Sequence, residues 1–543
     1  ARMRVEVALT DRAGEVLAET SHPLRKLARQ TGEVWLDRDM TWRVDGEPFF
    51  LNGAWNHEDG FVPGYNAFSG AQPGDVKLLD TAIMNEVYYH VESLRSDALS
   101  AEDAEMLRAY AREARENPKL FGYFVSDEPE VSGIKAKVLE DIYNVFADED
   151  PYHPVIISND SMHGLHAYAK SADINGLHPY PVTLQTERVN DLSSVAVFTE
   201  ESVRFFEGQA HRQTIAYLHQ GFNYGDYGAV NNRIPTYVEY RDQNLLALAC
   251  GARGLIQFNR LVAHYPELHI GMPHLTNELA SLGPIIASPT SETVPLASSD
   301  ALKMLLKERD GHLYLLACNA DTEPRDVEIT IPGIGERGPA LRVTSEGREV
   351  ALDGDKFTDR FDAWEAHVYT TGDDSGLPTV AEIVAEIAEA NARRQKPGNL
   401  AFQASEGDGV VLTASSSKAA KFRRPDTGLW HVVDGVIDQI DRYSCLTWQD
   451  DTADEFPDWL EIALPEPHAI GRVVVYPFEK SLRDYAVQAF ADGEWRDVDE
   501  VSGQNADQIT HEFDAVTTDR IRLMVTAANG SNSLVTEVEI YEK

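Results

Sequence analysis

LFGYFVSDEPE, residues 120–130, runs from apolar residues straight into two adjacent acids and a proline. Residues 120–126 read as a buried strand. Two like charges side by side repel, and burying either costs free energy, so the pair Asp127–Glu128 at a strand end needs a reason. One reason is chemistry: in parallel α/β barrels the active residues sit where strands end, on the C-terminal face. The plain alternative makes Asp127 the N-cap of the following helix, which still leaves Glu128 pointing at the same face.

Outward from this stretch, short apolar runs alternate with helical stretches over residues 39–287, the signature of βα units around a parallel sheet. The candidate strands are PFFLNGAW (48–55), GYNAF (64–68), EVYYHVE (86–92), LFGYFVS (120–126), HPVIIS (153–158), DINGLHP (173–179), TIAYLHQ (214–220) and RGLIQFN (253–259). Helices are predicted at SAEDAEMLRAYAREARE (100–116), with Ser100 as N-cap and Asp103 as the acid of a capping box, and at TYVEYRDQNLLALACGA (236–252). Eight such units in about 250 residues is the size of a (β/α)8 barrel. The first two links are too short for parallel crossovers, which need about a dozen residues or more. Either those units are abbreviated or loop segments are absent from this sequence.

The predicted fold is therefore multidomain, a (β/α)8 TIM barrel flanked by β-sandwiches. Residues 1–38 alternate like the remnant of an N-terminal sandwich, and 288–372 like an antiparallel sandwich. Residues 373–398 hold a helix between Gly/Pro/Ser-rich ends, a spacer, and 399–543 return to short strands of a separate sandwich. The net charge of −41 argues against nucleic acid or an anionic membrane as partner, since both require a basic surface. It fits a need for solubility. No apolar run approaches the roughly 20 residues of a membrane span. Cys250, Cys318 and Cys445 fit no metal-ligand spacing, and the first two sit in apolar runs as core thiols. No signal peptide is visible; the opening residues read as a trimmed N-terminus.

The barrel strand ends carry a polar and aromatic rim: Trp55, Asn56, His57, Glu58 and Asp59, then His90 and Glu92, then Asp127 and Glu128, Asn159 and Asp160, His178 and Tyr180, His219, Gln220, Asn223 and Tyr224, and Asn259 and Arg260. Acids and amides bind hydroxyls, and rings cover apolar sugar faces, so this rim suits a carbohydrate. Asp59 and Asp160 read equally as helix N-caps, His57 and His90 as hydrogen-bonded wall residues rather than metal ligands, and Tyr180 as packing.

LFGYFVSDEPE resembles the fourth-strand motif of (β/α)8 glycoside hydrolases of clan A, DGEPFFLNGAWNHEDG (45–60) their first strand, and RIPTYVEYRDQNLLALACGARGLIQFN (233–259) their last units. The resemblance implies Glu128 as general acid, with its pKa raised by the adjacent Asp127. On strand seven, where those enzymes place a nucleophilic glutamate, this chain has Gln220, and an amide cannot attack an anomeric carbon. Three explanations follow. Another carboxylate, Glu58, Glu92 or Asp226, is the partner on a non-acetylated sugar. The barrel is decayed and only binds carbohydrate. Or the substrate's 2-acetamido oxygen attacks. The third accounts for the pair, because adjacent Asp-Glu occurs in families 20 and 123 of the N-acetylhexosaminidases, and DEP resembles the latter. That resemblance implies Asp127 on the acetamide N–H, Glu128 as acid/base and Tyr180 as donor to the acetamide carbonyl, in a retaining, substrate-assisted β-N-acetylhexosaminidase for GlcNAc or GalNAc.

The stretch from NLAFQASE (399) to TEVEIYEK (543) is similar to discoidin, or F5/8-type C, domains, which include carbohydrate-binding modules. The resemblance implies a structural Ca²⁺ at Asp434 and Glu537, the plain alternative being a hydrogen-bonded loop. Trp430, Tyr443 and Trp448 are candidate sugar-stacking residues, with core packing the alternative for Trp448. The expected partner is an oligosaccharide or polysaccharide and the expected location extracellular, with no cofactor for catalysis. A nucleotide-using enzyme is disfavoured, as no glycine-rich phosphate loop follows any strand.

Overall fold

The computed structural model describes residues 2–55, 64–69, 82–87, 91–182, 191–209, 211–224, 233–262, 264–373, 376–403, 409–418, 429–437 and 447–543. Asn56, His57, Glu58, Asp59, His90, Asp226, Tyr443 and Cys445 of the expected set lie outside these residues.

β1 (Arg2–Thr10) and β2 (Val16–Arg25) pair as an antiparallel hairpin whose Val5, Val7, Leu9, Val16 and Leu17 are exposed. β3 (Val34–Leu36), β4 (Trp42–Val44) and β5 (Glu47–Phe49) form a small antiparallel sheet that straddles the boundary expected at residue 38. Val34 and Trp42 plug the lower end of the barrel, Trp42 and Phe49 lying edge-on or tilted against Phe121 at 6.0 and 5.3 Å.

Eight parallel strands are joined in a ring: β6 (Leu51–Trp55), β7 (Ala67–Ser69), β8 (Ala82–Glu86), β9 (Leu120–Asp127), β10 (Val155–Asn159), β11 (Ile174–Leu177), β12 (Thr214–Gly221) and β13 (Gly254–Asn259), which returns to β6. Leu51, Ala67, Met84, Phe121, Phe124, Ile156, Ile174, Ala216, Leu218 and Ile256 fill its interior, so it is a packed core and not a pore. The third strand differs from expectation. It is AIMNE, ending at Glu86 where EVYYHVE begins. Register decides this: Met84 has the inward side chain and pairs with Gly122, a position where a Cβ would meet the Pro154 carbonyl oxygen at 2.5 Å. The aromatic run that follows, residues 88–90, has strand propensity and lies outside the described residues.

α1 (Ala101–Ala114), α2 (Ala136–Glu149), α3 (Met162–Ala167), α4 (Ser193–Glu207), α5 (Tyr237–Ala249) and the pair α6 (Pro266–His269) and α7 (Gly271–Ile286) follow β8 to β13 in turn. Among the described residues no helix follows β6 or β7, so strand–helix alternation is described only from β8 onward. Ser100 caps α1 by accepting from the Asp103 amide. Asp103 does not close a capping box: its carboxylate is taken by the amide and hydroxyl of Ser93. A capping box does open α5, between Thr236 and Glu239.

Residues 296–370 form two sheets around a core of Leu302, Leu313, Leu315, Val327, Ile329, Phe357 and Phe361. The outer face of the five-stranded sheet turns Leu316, Cys318 and Val368 onto the barrel helices, which is why α5 is buried nearly all round. Cys250 and Cys318 are free core thiols, as their apolar runs indicate. α8 (Val380–Arg394), opened by the Thr379–Glu382 capping box, is not a free spacer: Ile383 and Ile387 pack into the same apolar cluster. Residues 399–543 fold as a β-sandwich around Trp448, Leu460, Ile462, Val473, Leu523 and Val538. No helix among the described residues is long and apolar enough to cross a membrane.

Candidate active site

A bulge in β9 decides which side chain faces the barrel mouth. Phe124 pairs with Ile156 of β10, but Ser126, not Val125, pairs with Ile157, and Asp127 then falls opposite Ser158. The extra residue re-aims the strand's end, the usual consequence of a bulge. Ser158 donates to Asp127 Oδ1 at 2.6 Å. Burial pushes the Asp127 carboxyl up to about 6 against that hydrogen bond, and the charges of Glu86, Glu130 and Asp160 push the same way. Desolvation is thus the main cause of the raised Asp127 carboxyl.

Glu128 leaves the strand in the left-handed region, φ 41°, with its amide bonded to the Ser158 carbonyl at 3.1 Å. Its side chain is 37% exposed and Oε1 lies 3.7 Å from His178 Nδ1. His178 is buried, neither ring nitrogen has a hydrogen-bond partner, and burial lowers its pKa to about 4, so it is neutral. Its ring lies 4.9 Å from Tyr180, a second left-handed non-glycine at φ 40°. Tyr180 heads an aromatic cluster with Phe222 at 4.9 Å, Phe258 at 6.1 Å and Tyr224 at 6.5 Å. Trp55 closes it from β6, 4.6 Å from Phe124 and 6.1 Å from Phe258. Left-handed backbone at a non-glycine costs about 1–3 kcal/mol and concentrates at functional sites. The mouth therefore holds two half-buried carboxyls, one bonded to Ser158 and one beside a neutral imidazole, and an aromatic wall. Donor atoms of Asp127, Glu128 and His178 lie within 4.8 Å of one another, a set that a divalent cation can also use.

Other predicted rim residues are brought in but serve the scaffold. Gln220 has the inward parity of Ala216 and Leu218, yet it is fully buried. Its Oε1 accepts from the Val182 amide at 2.8 Å, and its Nε2 donates to the carbonyls of Val182 and Phe222 at 2.8 and 3.2 Å. An amide that matches a backbone N–H and C=O at once is a staple for the loop after β11, so Gln220 serves the scaffold where substrate binding was expected of it. His219 lies between the amide oxygens of Asn244 and Asn259 at 2.8 and 3.2 Å. Asn259 continues to Tyr240 and Tyr65, and Asn223 donates to the Tyr265 hydroxyl at 3.2 Å. Asn159 is buried, accepting from Asn175 and donating to Glu130 at 2.8 and 2.7 Å. Glu92 is exposed on a 3₁₀ turn, Glu92–Arg95, anchored by Asp103 at the head of α1.

Three residues escape the sequence pattern. Glu130, within the opening motif, accepts from Asn159, from the amides of Asp160 and Ser161 and from the Ser161 hydroxyl, tying the β9 loop to the head of α3. Ser158 is a plain last strand residue until the bulge sets it opposite Asp127. Glu86, bonded to Ser69 at 2.5 Å, is legible only with the correct third strand.

In the C-terminal sandwich Trp448 is core, its indole N–H donating to the Ser416 carbonyl at 2.9 Å, and Trp430 is buried beside His431, so neither presents a face to sugar. Asp434 and Glu537 are neighbours through Gly435, whose amide donates to Glu537 Oε2 at 3.2 Å. Calcium takes six to eight oxygens. Here Asp434 Oδ1 accepts from the Val436 amide and Oδ2 faces two imidazole nitrogens, of His431 at 2.8 Å and His264 at 3.0 Å. Among the described residues the atoms that face Asp434 Oδ2 are imidazole nitrogens rather than the further oxygens calcium takes.

No curated protein matches the chain. Among solved structures, a chitosan-binding module of the chitosanase/glucanase from Paenibacillus sp. IK-5 is 20% identical over 26% of this chain and 98% of its own, with a TM-score of 0.22. The family 32 module of NanJ from C. perfringens, in complex with galactose, is 17% identical over 24% and 93%, at 0.21. A family 89 glycoside hydrolase from Clostridium perfringens is 18% identical over 25% of this chain and 14% of its own, at 0.21. Residues 431–523, within the C-terminal sandwich, match the model of the NedA-like, galactose-binding domain of F5/F8 type C.

Proposed function

We propose that the chain is an extracellular glycoside hydrolase built on a (β/α)8 barrel, with the C-terminal sandwich binding glycan, and that it is a retaining, substrate-assisted β-N-acetylhexosaminidase. The observation that carries this reading is the split of the adjacent pair into two environments. Asp127 is half-buried, held by Ser158 and ionised at neutral pH; Glu128, also half-buried, lies beside a neutral imidazole. Two carboxyls pushed apart by their surroundings take different roles. Asp127 is fixed as the acceptor for the acetamide N–H, where positive charge grows as the acetamide oxygen attacks. Glu128 reaches the leaving oxygen, and a sugar seated over it strips water from the carboxyl and favours its protonated form. The wall of Trp55, Tyr180, Tyr224 and Phe258 suits an apolar sugar face. Gln220 loses its force as a sign of decay, because its amide holds backbone.

The test is release of p-nitrophenol from N-acetyl-β-glucosaminide and galactosaminide. The native chain is expected to turn over at least one of them, to be inhibited by a thiazoline and to keep its rate in chelator. Glu128→Gln is expected to cost about 10²–10⁴-fold, most on substrates with poor leaving groups. Full activity in that variant sinks the assignment, and loss of activity on chelation would move Asp127, Glu128 and His178 to a metal. No release from any aryl glycoside would leave a carbohydrate-binding protein.

A further inference from the structure

The C-terminal sandwich meets the barrel at a buried cluster that the carbohydrate reading does not use. His264 stands five residues beyond β13, its amide bonded to the Leu261 carbonyl and its carbonyl taken by Arg394 at the end of α8. Across the seam lie His431, on the 3₁₀ turn Leu429–Val433, and Asp434. All three are at most 3% exposed. His431 Nδ1 is 2.8 Å and His264 Nε2 3.0 Å from the same oxygen, Asp434 Oδ2, and the two rings are 5.0 Å apart at 78°. Neither nitrogen of His264 makes a hydrogen bond, the contact with Asp434 being off-line despite its length. Glu537 adds a neighbouring acid, with Oε2 on the Gly435 amide and Oε1 without a hydrogen-bond partner.

We infer that His264, His431 and Asp434 form a zinc-class metal site that joins the barrel to the C-terminal sandwich. Two imidazole nitrogens and a carboxylate oxygen are the donors that Zn²⁺ and its neighbours prefer, while calcium prefers oxygen alone. Donors of a tetrahedral zinc at ~2.1 Å stand roughly 3.4 Å apart, so the observed 2.8 and 3.0 Å need only a small outward shift to admit the ion. The fourth position falls to water or to Glu537. Because His264 belongs to one unit and the other two ligands to another, the ion fixes the position of the glycan-binding sandwich relative to the barrel mouth.

The full chain, stripped with a chelator and dialysed, is titrated with Co²⁺, Zn²⁺ and Ca²⁺ separately. One equivalent of Co²⁺ is expected to bind with the intense visible absorption of a tetrahedral centre, and Zn²⁺ to displace it. His264→Gln, which leaves every sandwich residue in place, is expected to weaken Co²⁺ at least about 100-fold. His431→Gln is expected to do the same. Absence of Co²⁺ and Zn²⁺ uptake by the native chain, whether or not Ca²⁺ binds, overturns the inference and leaves an ion-paired seam. So does unchanged affinity in folded His264→Gln. Should that variant fail to fold, Co²⁺ uptake by Glu128→Gln, which removes a donor of the barrel-mouth set, decides: the same spectrum and stoichiometry as the native chain support the seam site, and their loss overturns it.

Discussion

At the end of β9 and at the end of β12 the chain places a polar doublet, Asp127–Glu128 and His219–Gln220, and the two are used in opposite ways. At β12 both side chains are wholly buried, His219 donating to one of the two amide oxygens that flank it and Gln220 matched to the N–H and C=O of Val182. At β9 a bulge and a left-handed residue set one half-buried acid against Ser158 and the other, equally half-buried, beside an imidazole that lacks hydrogen-bond partners. Satisfied groups on relaxed backbone hold a fold together; incompletely satisfied groups on strained backbone are where a ligand completes the set.

The comparison breaks first at Gln220. Gln220→Ala removes partners from a buried N–H and a buried C=O, each worth about 1–3 kcal/mol when left unpaired. A loss of about 2–4 kcal/mol in urea unfolding is expected. Gln220→Glu, which would supply a nucleophile were the position a decayed one, offers no N–H to the carbonyls of Val182 and Phe222 and is expected to be destabilised as much, with no gain in turnover. A stable, faster Gln220→Glu would put catalysis back at β12.

Asp127 is next. Its pKa is raised from 3.8 to about 6, so the folded chain binds this proton more tightly than the unfolded chain. The stability this adds is complete below about pH 4 and is lost as pH rises through about 6. Asp127→Asn keeps an oxygen for the Ser158 hydroxyl without the buried charge. It is expected to exceed the native chain by up to about 3 kcal/mol at pH 8 and to match it near pH 4, read from urea curves at both pH values. On the activity side it should lower turnover and erase the acid limb near pH 6 that the native kcat/KM profile is expected to show. Native stability that is flat from about pH 4 to 8 would mean that Asp127 carries no raised pKa.

How far these differences were legible follows from what each depends on. Apolar period and turn residues locate most of the strands, because inward packing at Phe124, Ile156, Leu218 and Ile256 is a local pattern. The LFGYFVSDEPE strand end was legible for the same reason. The third strand was misplaced because Val87 and the aromatic residues after it carry β-propensity, whereas ladder register is set by partners far away in sequence. Gln220 looked like a rim residue since its inward parity is correct; that Val182 folds over it is a tertiary fact. His264 gave no signal, because its partners His431 and Asp434 lie in another unit.

The finest test is the backbone at Glu128. With φ 41° it occupies a region that costs an ordinary residue about 1 kcal/mol and glycine almost nothing. Its side chain is partly in solvent and approaches His178 at 3.7 Å. Glu128→Gly is therefore expected to change stability by no more than about 0.5 kcal/mol, the released strain being offset by the larger unfolded-chain entropy of glycine, while losing turnover as fully as Glu128→Gln. A residue kept for chemistry against its own backbone behaves this way, and Gln220 must behave in the opposite sense. If Glu128→Gly unfolds more readily than the native chain by about 1 kcal/mol or more, Glu128 supports the fold as Gln220 does, and the two strand ends are alike.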